Sequence, residues 1–302
     1  MGYIVVLGAV VIWGLSYIVM KAATTDYPQL LFQFWRYAAV TAIFAAAFHR
    51  TLRLIPAHVW KIGLLRLGLA NFVLGIFSIY AVQHTTPTRV VVINGLIIGV
   101  VPLLRWIHER IKPARHEGWA IGIALFAIAL LFEPQDRFVQ LGDVLAFVGM
   151  IGYAYSIVLT NRLLATDRAS VMQVSFLGVA GCAAYFTVAA VIYVWFSPGG
   201  LEIGALLTQP KTIAGIAYMI LFVSLAANLL QVIGQRRLPP VTVSILFCLE
   251  PAVTAALDYS LLGNPPSVRV TLCGIVLIGA TVVAALQNGR RGVAKERQDL
   301  GI

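Results

Sequence analysis

The chain has 302 residues, of which 60% are hydrophobic and only 11% charged, with a formal net charge of +10. A soluble domain carries roughly 25% charged residues, so an ordinary water-facing surface is excluded and the chain must sit in apolar surroundings. The positive balance does not indicate nucleic acid, because the basic residues fall in short gaps between apolar runs, where they report membrane topology.

The first apolar run, Tyr3 to Ala23, lacks a basic start and exceeds a cleavable signal core. It reads as a first membrane helix. A bilayer is crossed by about 20 mostly apolar residues, and the spacing predicts ten such spans, near 3–22, 29–48, 64–83, 88–106, 117–133, 141–161, 171–195, 213–235, 240–262 and 268–287. Pro28, Pro56, Pro87, Pro113, Pro134, Pro198, Pro239–Pro240 and Pro265–Pro266 punctuate the gaps.

Basic residues then set direction. In and beside the gaps after spans two, four, six and eight, and in the C-terminal tail, lie Arg50, Arg53, Lys61, Arg66, Arg105, Arg110, Lys112, Arg115, Arg162, Arg168, Arg236, Arg237, Arg290, Arg291, Lys295 and Arg297. The opposite side holds Lys21, Arg89, Arg137, Lys211 and Arg269, and Arg36 lies within a span. This excess predicts that both termini are cytoplasmic. A wrong span count would scramble the alternation.

Cys182, Cys248 and Cys273 lie far apart inside apolar runs, without the clustered spacing of a disulfide framework or zinc site. His49, His58, His108 and His116 lie in or beside connecting loops. No HExxH, GxSxG or GxxxxGK[ST] motif occurs, which argues against an intramembrane enzyme and against ATP use. No metal or other cofactor is expected.

The chain repeats itself weakly. Ala70-Asn71 in span three matches Ala227-Asn228 in span eight, and those spans end in Thr86-Pro87-Thr88 and Pro239-Pro240-Val241. Trp106-Ile107-His108-Glu109-Arg110 ends span four, where span nine ends in Leu261-Leu262-Gly263-Asn264-Pro265. Gly152-Tyr153-Ala154-Tyr155-Ser156 in span six parallels Trp13-Gly14-Leu15-Ser16-Tyr17 in span one. Five spans followed by five places the halves in opposite orientations, a transporter design with its site between them. The expected division is an all-α membrane protein with one five-helix repeat over 1–135, a second over 136–288 and a cytoplasmic tail over 289–302.

Trp13-Gly14-Leu15-Ser16-Tyr17 leading to Lys21, Arg36-Tyr37 in span two, Gly142-Asp143 opening span six and Leu249-Glu250-Pro251-Ala252-Val253 in span nine carry a resemblance in their order and spacing. Over nearly its whole length the chain resembles the drug/metabolite transporter superfamily, EamA type. The resemblance implies a ten-helix metabolite carrier, most similar to bacterial amino-acid exporters. It departs from the family where a polar residue near a proline becomes Asn94-Gly95-Leu96, with Pro102 later, and where Gly-Glu becomes Gly263-Asn264.

Polar groups in a bilayer face protein or a water-filled path. Ser224, Asn228, Gln231 and Gln235 fall on one stripe of span eight, as a pore lining or as interhelix glue. Gly68, Asn71, Gly75 and Ser78 share a face of span three that suits close packing. Tyr80, Gln83 and His84 share another face, where His84 is either structural or a gating and proton-sensing group. Trp13, Tyr17 and Lys21 follow one another on span one at the depth of Tyr153 in span six, with Lys21 read as an interface anchor. Asn94 and Ser244 complete the lining candidates. Arg36 needs a partner within the membrane. Asp258 and Glu250, a turn apart from Thr254 on span nine, are the candidates. Glu250 beside Pro251 is either a proton-coupling carboxylate or a neutral acid shaping the helix.

The sequence thus points to a multi-pass carrier of the cell inner (plasma) membrane, a lipid-embedded monomer exporting small polar metabolites, amino acids and aromatic ones foremost, by alternating access. The rival readings are a facilitative carrier or channel for another small metabolite or drug-like solute and, in a different class, an intramembrane enzyme. Direction and proton coupling stay open.

Overall fold

Prolines and polar caps mark where one apolar run gives way to the next, and the helices begin at them. In a computed structural model of the protein, α1 spans Gly2–Ala23, and α2, Gln29–Leu52, starts behind Pro28. α3 spans Ala57–His84 behind Pro56. α4, Pro87–Asn94, and α5, Ile97–Glu109, form one broken span. After them come α6, Leu141–Ala165, α7, Val171–Phe196, and the short α8, Ile203–Thr208. α9, Pro210–Arg237, leads to a second broken span of α10, Pro240–Phe247, and α11, Glu250–Leu262. Proline opens α4, α9 and α10, where its fixed φ fits and its missing N–H leaves no helical bond unmade. The structure describes residues 2–85, 87–110, 140–165, 167–197 and 199–262, with scattered positions between 118 and 129 and between 268 and 279.

Among the described residues, eight helices are long and apolar enough to cross a membrane. They coincide with predicted spans one to four and six to nine. Spans five and ten, near 117–133 and 268–287, and the tail at 289–302 fall almost wholly outside the described residues. Large apolar side chains on the helices point outward, among them Trp195, 83% exposed, and Ile4, 74% exposed. A soluble monomer rarely shows so much apolar surface; here it is the surface that meets lipid.

Boundaries differ from expectation for physical reasons. α2 continues to Leu52, past the expected end at 48, because the chain kinks at Phe48 (φ −121°, ψ 19°) and resumes helix. α3 begins at Ala57 rather than 64, and carries Lys61 and Arg66 on exposed positions. Its 28 residues make about 42 Å of helix, against a hydrocarbon core of about 30 Å. Its first turns therefore reach beyond the hydrocarbon, where charge is tolerated. α7 starts with a reciprocal cap: the Gln173 amide donates to Ser170 Oγ (3.2 Å) while the Ser170 amide donates to Gln173 Oε1 (2.9 Å).

The two halves echo each other in their irregularities. α3 contains a π-helical stretch over Ile62–Leu67 and α9 contains one over Met219–Ala227, in the third and eighth spans. Such stretches are rare and concentrate at functional sites. The fourth and ninth spans both break midway, at Gly95–Leu96 and at Cys248–Leu249. The second break lies just before Glu250–Pro251 rather than at the proline itself. Pro251 sits instead in the first turn of α11, where no i−4 bond is lost. Tight bonds carry the backbone through the first break, from Leu96 N to Ile93 O (3.0 Å) and Gly99 N to Leu96 O (3.0 Å). The two breaks meet: Cys248 Sγ donates to Gly95 O at 3.3 Å. Non-helical backbone at membrane depth is tolerated when protein surrounds it in this way.

Close crossings hold the bundle. A Cβ on Gly68 would stand 2.5 Å from Gly181 Cα, so α3 and α7 touch backbone to backbone. Asn71 Nδ2 reinforces the crossing by donating to Gly178 O (3.2 Å). α3 also packs along α6, while α1 lies against α9 and α11, bringing the first half onto the second.

Candidate functional site

A cavity of about 110 Å3 opens between the helices. α1 contributes Trp13, Ser16, Tyr17 and Met20; α2 contributes Gln33, Arg36 and Tyr37; α3 contributes Asn71, Leu74, Gly75 and Ser78. From the other half come Tyr153 and Ser156 of α6, Val179 of α7, Met219, Val223, Ser224, Asn228 and Gln231 of α9, and Glu250 of α11. Both halves therefore build its wall.

One side is aromatic. Trp13 meets Tyr153 edge-on (5.9 Å between centroids) and lies tilted against Phe247 (5.1 Å), which stacks on Tyr153 (5.6 Å). Two serines sit at matching places in this wall. Ser16 Oγ donates to Trp13 O (2.7 Å) and Ser156 Oγ donates to Tyr153 O (2.8 Å), so each hydroxyl lies one turn after its ring.

The other side is polar. Arg36 Nε donates to Ser224 Oγ (2.7 Å) and Nη1 donates to Gln33 Oε1 (3.1 Å). Gln33 Nε2 in turn donates to Gly75 O (3.0 Å), which fixes the amide with its oxygen toward the guanidinium. The Tyr37 ring lies 4.7 Å from Arg36 Cζ, a cation–π contact, and stacks at 5.3 Å on Phe186. Arg36 is 7% exposed and Glu250 3% exposed. Both line the cavity, yet the described residues form no ion pair between them. The direct Arg36–Glu250 pair considered from sequence is thus replaced by neutral partners on α2 and α9. The alternative partner, Asp258, has its side chain outside the described residues. Buried polar atoms are usually partnered, but Tyr153 Oη and Asn228 Oδ1 have no partner in the protein among the described residues.

The expected lining residues divide. Trp13, Tyr17, Tyr153, Ser224, Asn228 and Gln231 meet at the cavity, with Arg36 and Glu250. Tyr80, His84, Asn94, Gln235 and Ser244 do not line it. Asn94 stands behind Tyr17, donating from Nδ2 to its hydroxyl (2.7 Å). Ser244 bonds its own helix at Val241 O (2.8 Å). His84 is exposed, with Nδ1 2.9 Å from Tyr80 O in its own helix. Gln235 is buried, its backbone carbonyl accepts from Asn161 Nδ2 (3.5 Å), and its side-chain amide has no partner among the described residues. Tyr80 packs partly buried beside the cluster around Ile79. The stripe on α9 lines the cavity from Ser224 through Asn228 to Gln231, and Gln235, one turn further along the same regular helix, lies past the cavity's end.

Sequence reading missed Gln33, Ser16 and Ser156, and it read the face of Asn71, Gly75 and Ser78 as packing, although those three also line the cavity. Gln33 was findable, since it lies three residues before Arg36 and so on the same helical face. Ser16 and Ser156 were findable from the internal repeat, each following an aromatic residue by three positions.

Residues 1–133 and 140–286 both match the EamA-like transporter family, so the chain belongs to that family, within the drug/metabolite transporter superfamily. It is a multi-pass membrane transporter of small solutes. A solved crystal structure is similar over 96% of this chain and 98% of its own, with a TM-score of 0.70 and 17% sequence identity, a likeness of fold. No curated protein matches the sequence.

Proposed function

We propose that the protein exports amino acids, aromatic ones among them, across the inner (plasma) membrane by alternating access, with ten spans in two inverted repeats and both termini in the cytoplasm. One observation carries this reading: a single cavity built by both halves joins an aromatic wall to a buried cation, a buried acid and several amide and hydroxyl groups. An amino acid offers a matching set, with one anionic group, one cationic group and a side chain. Broken spans in both halves, meeting at Cys248 and Gly95, give the halves hinges about which to rock. Glu250 is the residue through which proton coupling would run, being the cavity's one described carboxylic acid.

Uptake of radiolabelled phenylalanine and alanine into proteoliposomes, with and without a proton gradient, tests the reading. Counterflow that follows the amino-acid gradient supports it. A response to the proton gradient that disappears in Glu250→Gln assigns the coupling. Folded protein that moves neither amino acid removes the substrate class.

A further inference from the structure

Arg36 is a buried cation whose partners among the described residues are all neutral. A guanidinium has five N–H donors. Nε is used on Ser224 Oγ and one donor of Nη1 on Gln33 Oε1, while the remaining donors have no partner among the described residues. No described carboxylate forms an ion pair with it, although a cationic side chain within a membrane is costly unless paired. The residue is nevertheless held firmly. α9 holds Nε through Ser224, α2 holds Nη1 through Gln33, and α3 fixes Gln33 through Gly75 O. Tyr37, itself stacked on Phe186, supports the guanidinium. A planar donor fork held at Nε and Nη1, and bordering a cavity with its Nη2 and second Nη1 hydrogens to spare, is built to take a planar anion with two oxygens.

We infer that Arg36 is the carboxylate-binding residue of the transport site, preorganised by Gln33 and Ser224, and that its counter-charge is supplied by the solute rather than by the protein. This rests on the reading of the cavity as the transport site. It deepens that reading by assigning one end of the solute. The opposite, aromatic end at Trp13 and Tyr153 then receives the side chain.

The test is a ligand panel on purified full-length protein, read by thermal unfolding in detergent and by competition against phenylalanine counterflow. The probes are phenylalanine, phenylalaninamide, phenethylamine and 3-phenylpropionate. Loss of a charge-assisted bond weakens binding by about tenfold or more, so phenylalaninamide and phenethylamine should compete at least about tenfold less well than phenylalanine. 3-Phenylpropionate, which keeps the carboxylate and lacks the amine, should still stabilise the protein, and Arg36→Gln should remove that stabilisation. Because the panel is run on the unaltered protein, it tests the carboxylate requirement even if Arg36→Gln does not fold, and weaker 3-phenylpropionate stabilisation in Ser224→Ala, which keeps the guanidinium, then assigns it to Arg36. Phenylalanine counterflow with equal competition by the amide would overturn the inference and leave the amino-acid reading intact. Carboxylate-dependent stabilisation that needs Arg36, without amino-acid transport, would uphold the inference and overturn the amino-acid reading. No stabilisation by any carboxylate probe would overturn the inference outright.

Discussion

Two arginines set within membrane spans show two ways of keeping a cation there. Arg89, near the start of α4, faces Asp143 of α6 with a bidentate pair, Nε to Oδ1 at 3.1 Å and Nη2 to Oδ2 at 2.6 Å. Asp143 also accepts from the Gln140 amide (2.9 Å) and Thr85 Oγ1 (3.4 Å), and Lys21 Nζ donates to Thr85 O (3.2 Å). The charge there is matched by the protein itself, in a knot that ties the end of α3 and the start of α4 to the second half. Arg36 has equally fixed geometry and, among the described residues, no such match. A paired charge joins helices. A fixed charge matched only by neutral dipoles retains attraction for something that comes and goes.

The first way to break this comparison removes one partner of the pair. Arg89→Met leaves Asp143 buried, its side chain only 10% exposed, without its cation. Breaking a buried pair costs about 3 kcal/mol or more, so thermal unfolding in detergent should drop sharply and the yield of monodisperse protein should fall. Replacing both residues, Arg89→Met with Asp143→Leu, should recover most of the loss, because two apolar groups leave no charge stranded. A single variant as stable as the parent would show that the knot is ornamental.

Arg36→Met should behave in the opposite sense. If the solute supplies its counter-charge as inferred, removing the cation relieves a desolvation cost, so unfolding temperature should hold or rise. Transport of a carboxylate-bearing solute should fall about tenfold to a hundredfold, the worth of a charge-assisted bond. If stability collapses instead while transport per folded molecule persists, Arg36 belongs with Arg89 as a structural charge and the contrast dissolves.

The same contrast separates the legible from the illegible. Eight spans were legible because apolar length and flanking prolines are local signals, and Arg36 stood out because the cost of a charge in a span is local too. Its surroundings were not legible. Ser224 lies 188 residues away in sequence from Arg36, and pairing across that distance depends on how the halves dock. The Arg89–Asp143 pair was missed for a related reason: Arg89 was treated as a topology marker and Asp143 as part of a motif, and neither role names a partner. Gln235 was misplaced because a stripe gives the face of a helix and not the depth at which a cavity stops. The breaks at Gly95–Leu96 and Cys248–Leu249 were half-visible, since glycine and proline mark weak points without fixing which peptide yields.

Ser224→Ala sharpens the Arg36 side of the comparison at smaller scale. It removes the 2.7 Å bond to Nε but leaves Gln33 in place. The guanidinium keeps its charge and loses part of its aim, so apparent affinity for a transported carboxylate should weaken about fivefold, equivalent to about 1 kcal/mol, with maximal rate and stability little altered. Competition curves for phenylalanine counterflow would show it. An unchanged affinity would mean that Gln33 and Tyr37 alone hold the fork.

The smallest effect is expected at His84, which marks the outer limit of the functional region. Its ring is exposed, hydrogen-bonds among the described residues to Tyr80 O in its own helix alone, and stays outside the cavity. An exposed group without cross-helix bonds changes stability by no more than about 0.5 kcal/mol when replaced, and it has no route to the solute. His84→Ala should therefore leave the rate and its pH profile within about twofold of the parent, the same small energy expressed as a rate. Transport measured between pH 5 and 8, the range in which an ordinary histidine titrates, reads this directly. A profile that flattens in the variant would make the histidine a gate. The solute's path would then extend beyond the cavity to the end of α3, where the Arg89–Asp143 knot lies, and that pair would belong to the path rather than to the scaffold alone.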